Sequence, residues 1–178
     1  MMIETERLIV RRFRPDDWRD LHGYLALPEV YAFEPGEPID EATARGMAEE
    51  RSRGSAFLAV ELRDERVMIG HLWFDRIEPA AMATWGLGYI FNPRHQRRGY
   101  ATEAVRALVA HAFSNLGVHR VVANCSPENV ASWRVLEKAG FVREARLRRN
   151  IWFRRDPAGN PRWQDTFVYG LLAEDLGA

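Results

Sequence analysis

Cysteine is nearly missing from this chain of 178 residues, where Cys125 stands alone. One thiol excludes an internal disulfide framework and a multi-cysteine metal site. His22, His95, His111 and His119 are scattered without ligand spacing, so no metal is expected. No apolar run approaches the roughly 18 residues of a membrane span. The opening MMIETERLIVRR also lacks the apolar core of a signal peptide, which leads to the expectation of a cytoplasmic protein without membrane contact. Neither the G-x-x-x-x-G-K-S/T phosphate loop nor the G-x-G-x-x-G dinucleotide fingerprint occurs. Lysine is almost absent as well: of 25 Lys plus Arg residues only Lys138 is lysine.

What remains is ordinary globular composition, 47% hydrophobic and 28% charged, with no repeat or low-complexity tract. A chain of this length buries roughly 70% of its unfolded surface, enough for one domain spanning 1–178. The net charge is zero, yet residues 1–89 carry 17 acids against 11 bases and residues 90–178 carry 8 against 14. Arginine preference alone is a compositional habit. The division near residue 90 points instead to an anion held by the second half.

Arg7–Phe13 reads as a strand, and Trp18, Leu21 and Leu25 recur at helical spacing behind Pro15. Glu34–Pro38 is a loop, and a second helix runs from Asp40 to near Gly54. Ala56–Leu62, Val67–Phe74 and Thr84–Phe91 are strand-like. Ala101–Leu116 is the clearest helix, with Val105, Leu108, Val109 and Ala112 on one stripe. Val118–Ala123 is a short strand and Asn129–Ala139 a helix stopped by Gly140, before two closing strands at Phe141–Phe153 and Gln164–Leu172. The order is that of one α/β domain, about seven strands in a mixed sheet with about four helices.

The most informative stretch follows Phe91. A strand ends, a basic loop with one glycine follows, and a strong helix begins; such a junction offers unpaired N–H groups and a positive dipole end to an anion. Gln96-Arg97-Arg98-Gly99-Tyr100-Ala101 resembles the pyrophosphate motif Q/R-x-x-G-x-G/A of the GNAT superfamily of acetyl-CoA-dependent N-acetyltransferases. Asn129-Val-Ala-Ser132 followed by Glu137-Lys-Ala-Gly-Phe141 is similar to a second block of that family. The opening Glu4-Thr-Glu-Arg-Leu, Asn92-Pro93 and Trp163-x-Asp165 resemble the branch that acetylates ribosomal-protein N-termini.

The resemblance implies a mostly antiparallel sheet splayed between its fourth and fifth strands, Thr84–Phe91 and Val118–Ala123. Acetyl-CoA is the implied co-substrate, its pantetheine arm filling the gap and pairing with backbone amides of Ile90 and Phe91. Amides from Arg97 and Arg98 through Gly99, Tyr100, Ala101 and Thr102 would cradle the pyrophosphate. Asn129 and Ser132 share a helical face toward the cofactor, with Ser132 the implied proton donor to the thiolate. Asn129 is equally a helix cap, and Ser132 alternatively bonds a carbonyl one turn back.

The general base is less marked. Many relatives place Glu on the fourth strand where this chain has Gly86, and an acid later where it has Asn150. Glu61, His71, Glu78 and Asp165 remain, with His71 in step with core positions, and a water-mediated base is an alternative. Activation of Cys125 as a nucleophile has no supporting His pattern.

For the amine acceptor, Tyr31, Phe33, Glu34, Trp73, Trp85 and Trp152 are candidate pocket residues, with core packing the alternative for each aromatic. Gly86 is expected to leave room for a wide acceptor, and the acidic first half to favour a cationic amine. Three readings follow: an N-acetyltransferase acting on a protein N-terminus or small amine, a non-catalytic acetyl-CoA sensor, and an RNA binder using the six arginines of 143–155. The resemblance favours the first, with no nucleic-acid partner, as a monomer or homodimer.

Overall fold

The structure, a computed structural model, describes residues 1–177. Eight strands form one sheet: β1 (Met2–Glu4), β2 (Leu8–Arg12), β3 (Phe57–Leu62), β4 (Met68–Arg76), β5 (Thr84–Phe91), β6 (Arg120–Cys125), β7 (Val142–Ile151) and β8 (Gln164–Leu172). Four α-helices cover it: α1 (Trp18–Leu25), α2 (Glu41–Arg53), α3 (Tyr100–Asn115) and α4 (Val130–Lys138). The spatial order is β1-β2-β3-β4-β5-β6-β8-β7. Every neighbouring pair is antiparallel except β5 and β6, which are parallel because α3 crosses between them.

The expected architecture is therefore present, with one strand more than the sequence suggests. The additional strand is β1, whose three residues lie opposite Ile9–Arg11. Three residues are too few to show an alternating pattern. The strand expected at Val118–Ala123 begins at Arg120, because the His119 N–H turns away to the Ala83 carbonyl.

Two cores lie on opposite faces of the sheet. One gathers Phe13, Leu21, Tyr24, Ala59 and Met68 beneath α1 and α2. The other, larger, gathers Val10, Leu58, Val60, Leu72, Leu87 and Phe91 beneath α3 and α4. The period-two alternation of β3 accounts for the split: Leu58 and Val60 belong to one core and the intervening Ala59 to the other.

A buried ion cluster ties β2, β3 and the start of α1 together. Arg11, 5% exposed, donates from Nε to Glu61 Oε2 at 2.7 Å and from Nη1 and Nη2 to Asp17 at 2.8 and 2.7 Å. Asp17 also accepts from the Arg14 N–H at 2.7 Å, fixing the turn into α1. These two acids of the first half are thus committed to structure. Arg11→Leu would leave two buried carboxylates facing each other and is expected to cost about 3–5 kcal/mol, read as a fall in the urea midpoint. Arg53→Ala, which removes an exposed pair with Glu49, should change stability by under about 0.5 kcal/mol.

Candidate active site

The sheet opens where its one parallel pairing ends. Thr84–Leu87 pair with Arg120–Ala123, and beyond Leu87 and Ala123 the ladder stops although both strands continue. On the other edge of β5, Asn92 N–H donates to Ile69 O and Ile77 N–H to Thr84 O, each at 2.8 Å. Hydrogen-bonded pairs alternate along an antiparallel ladder. In the observed register Gly86, Gly88 and Ile90 therefore turn their backbone groups to β4, and Leu87, Tyr89 and Phe91 turn theirs toward β6. Ile90, expected to offer an amide to a ligand, spends it within the sheet. The free donors on the opened edge are Tyr89 and Phe91.

A cavity of about 330 Å³ occupies the opening, lined by residues from both faces of the sheet. Ser132, Asn129 and Tyr89 line it on the α4 side, and Glu34, Arg51, His71 and Trp73 on the α1–α2 side. It is a passage through the sheet, so two ligands can meet from opposite faces.

On the α4 side, Asn129 caps the helix, its Oδ1 accepting from the Ser132 N–H at 3.1 Å. Tyr89 Oη donates to the Ser132 carbonyl at 2.9 Å and lies 3.0 Å from Ser132 Oγ. Its only proton goes to that carbonyl, so Ser132 Oγ–H is left to donate to Tyr89 Oη or to a ligand. Burial holds the Tyr89 phenol well above its ordinary pKa, and it stays protonated. Cys125 stands beside Ser132 with its thiol pushed up to about 11 by burial, an inert neutral group at neutral pH.

On the other side, burial pushes the Glu34 carboxyl up to about 7, a value suited to accepting a proton near neutrality. The Glu34 loop is tied down by Arg154, whose Nη2 donates to Tyr31 O at 2.8 Å. Asp165 also lines the cavity, but bonds from Arg149 N–H and Arg146 hold its carboxyl below the usual range. Glu61 belongs to the Arg11 cluster, and Glu78 accepts from Ala80 N–H in an exposed turn. His71 is buried, its Nδ1 2.6 Å from Tyr24 Oη, and burial keeps the ring neutral. Of the carboxylates reaching the cavity, Glu34 is the one left free to take a proton.

The basic loop starts immediately after Phe91. Asn92 Oδ1 caps its first turn by accepting from the Arg94 N–H, and Gln96 Nε2 donates to Phe91 O at 3.1 Å. Arg97 and Gly99 both have positive φ, +61° and +82°, which curls the chain into the start of α3. The first bond inside that helix runs from Glu103 N–H to Gly99 O. The N–H groups of Tyr100, Ala101 and Thr102 precede it and point out of the helix end. Arg97 and Arg98 are exposed, and among the described residues their side chains hold no hydrogen bond or ion pair. The N-terminal segment braces the loop: Arg7 donates from Nη1 to Arg98 O at 3.1 Å and from Nε to Glu103 at 2.7 Å.

Some expected acceptor residues lie elsewhere. Phe33 and Glu34 line the cavity, but Tyr31, Trp85 and Trp152 do not. Tyr31 is buried with its hydroxyl on Leu25 O at 2.9 Å, Trp85 stacks on Phe74 at 4.8 Å, and Trp152 lies outside beneath Arg155. Gly86 leaves no room either, because a Cβ there would meet the Trp73 ring at 2.5 Å. Tyr89 and Arg51 were not singled out by their sequence context. Tyr89 follows two glycines in an apolar strand, and Arg51 sits among the exposed charges of a polar helix. The Arg-rich stretch is mostly engaged: Arg146 with Asp165, Arg154 with Tyr31 O, Arg155 with Gly159 O, and Arg143 over the Phe167 ring. Among the described residues no cluster of His, Cys, Asp or Glu is placed to hold a metal, and no helix is long and apolar enough to cross a membrane.

Gly86→Ala is expected to cost about 1–3 kcal/mol through displacement of Trp73. In a Trp73→Ala background the same change should cost under about 0.5 kcal/mol; urea unfolding of the four proteins measures the coupling.

Residues 7–142 match the family model described as an acetyltransferase (GNAT) domain. The chain is 34% identical to an uncharacterized N-acetyltransferase, YnaD, of Bacillus subtilis (strain 168), over 98% of this chain and 99% of that one. It is 30% identical to the ribosomal protein uS5-alanine N-acetyltransferase of Escherichia coli (strain K12), over 97% and 91%. The crystal structure of a GNAT-family acetyltransferase from Bacillus anthracis superposes with a TM-score of 0.88 at 33% identity, covering 98% of this chain and 99% of that one.

Proposed function

The chain belongs to the GNAT acetyltransferase family, and from that membership and the geometry of its split sheet we propose that it moves an acetyl group from acetyl-CoA to a primary amine. The carrying observation is the through-sheet cavity, with the Ser132 hydroxyl on one face and the Glu34 carboxyl, its pKa raised by burial to about 7, on the other.

The residues present fit the cofactor. The unpaired backbone edge of Tyr89 and Phe91 needs partners that an extended amide-bearing chain would supply. The open end of α3 and the free side chains of Arg97 and Arg98 suit a pyrophosphate. Gly99 keeps that approach free of a side chain, while Tyr100, Ala101 and Thr102 contribute backbone N–H groups. Acetyl-CoA supplies an activated acyl group as a thioester.

The protein's own part is proton management and orientation. An acceptor amine must be neutral to attack, and Glu34 takes its proton on the α1–α2 side. Ser132 Oγ–H, backed by Tyr89 Oη, donates on the α4 side where a thiolate departs. Asn129 sets Ser132 by capping the helix that carries it. The Tyr89 N–H, on the opened edge, is placed to polarise a carbonyl. Glu34 also answers the consideration that favoured a non-catalytic sensor, the lack of a carboxylate at Gly86 and Asn150. No cytoplasmic address, homodimer or nucleic-acid partner is needed for this reading.

An acetyl-transfer assay over a panel of amines should show turnover well above background; cofactor binding without turnover would refute it. Ser132→Ala should lower kcat while leaving acetyl-CoA affinity within about twofold, and an unchanged kcat would remove its assigned role. As Glu34 must be deprotonated to act, kcat/KM should climb as pH rises through about 7. Glu34→Gln should abolish that limb and lower the rate by about 10²–10⁴-fold.

A further inference from the structure

Arg51, in the last turn of α2, lines the α1–α2 side of the cavity. Its guanidinium lies 4.1 Å from the centre of the Phe57 ring and 5.4 Å from that of Phe13. Nη1 is buried and has no hydrogen-bond partner. No carboxylate lies within ion-pair distance of half-buried Arg51 among the described residues, whereas buried Arg11 has two.

The tyrosines and histidine that pack near Arg51 are neutral. Tyr24 on α1 is a buried phenol held far above its ordinary pKa, and Tyr31 is raised by burial. His71 on β4 is held neutral by burial and by Arg51 itself. Glu50, its neighbour in sequence, is exposed. Glu34 shares the cavity but stands beyond ion-pair distance of the Arg51 guanidinium. A half-buried positive charge against aromatic faces with no counter-ion is costly unless a ligand supplies the anion.

We propose that the acceptor amine carries a carboxylate, which Arg51 binds while the amino group faces Glu34 and the opening between β5 and β6. This rests on the transferase reading and narrows its substrate class to amino-acid-like amines. A polyamine would set further positive charge against Arg51. A peptide N-terminus would offer it a neutral carbonyl in place of an anion. The apolar part of the lining, which includes Phe57, Trp73, Ile151 and Phe153, suits an apolar side chain.

The test compares L-phenylalanine and L-methionine with their amides, a dipeptide and spermidine as acceptors. The free acids should exceed their amides by roughly 10- to 100-fold in kcat/KM, the worth of a charge-assisted bond. Arg51→Met, which keeps the length and removes the charge, should erase that ratio by lowering kcat/KM for the free acids by roughly 10- to 100-fold more than for the amides. Arg51→Lys should retain part of it. A second measurement is independent of turnover: calorimetric binding of N-acetyl-L-phenylalanine and N-acetyl-L-phenylalaninamide to the protein with CoA. The acid should bind more tightly, in a manner abolished by Arg51→Met. Equal use of acid and amide, preference for spermidine, or a ratio unchanged in Arg51→Met overturns the proposal. If no amine is acetylated, the transferase reading fails; Arg51-dependent binding of the acid then upholds the carboxylate site, and its absence overturns that as well.

Discussion

The parallel ladder between β5 and β6 stops after four residue pairs, and an unfinished backbone edge inside a sheet must find partners. Most of the site depends on this interruption. It separates two strands that each remain anchored on their other side, β5 to β4 and β6 to β8. The gap is therefore held open by intact neighbours. It leaves the Tyr89 amide at the cavity and the Phe91 amide further along the opened edge, places Ser132 on the α4 side, and lets Glu34 and Arg51 face the same space from the other side. A fully zipped sheet would put two cores back to back with no passage between them.

The sequence made the architecture legible where periodicity was strong. The α3 stripe and the strand alternation predict elements that the structure contains within a residue or two, and the glycine-bearing basic loop marks the start of α3. Ser132, Asn129, Phe33 and Glu34 do reach one cavity. Other features depend on information that no local pattern carries. The direction of the Ile90 amide follows from strand register, which the sequence does not display. Tyr31, Trp85 and Trp152 look like pocket aromatics until tertiary packing assigns them to a backbone carbonyl, a core stack and the surface. Arg51 reads as one more helix-end arginine, and its lack of a partner exists only in three dimensions.

Charge bookkeeping by halves proves a blunt instrument for the same reason. The acidic first half does not gather at the acceptor side: Asp17 and Glu61 hold Arg11, while Glu103 of the second half holds Arg7. The cavity receives two carboxyls, Glu34 and Asp165, and one guanidinium, and burial shifts Glu34 and Arg51. Its electrostatic character comes from desolvation of these two groups and owes little to the net charge around them.

Trp73 and Gly86 also constrain the history open to this chain. The indole fills the space beside Gly86, so a carboxylate cannot be placed there by a single replacement. Adding a side chain at 86 first creates a collision, and shrinking Trp73 first hollows the pocket wall. Any lineage crossing between the two arrangements must pass through one of these weakened intermediates, or change both residues together. The glycine and the tryptophan are in this sense one unit, joined by a packing contact between neighbouring strands.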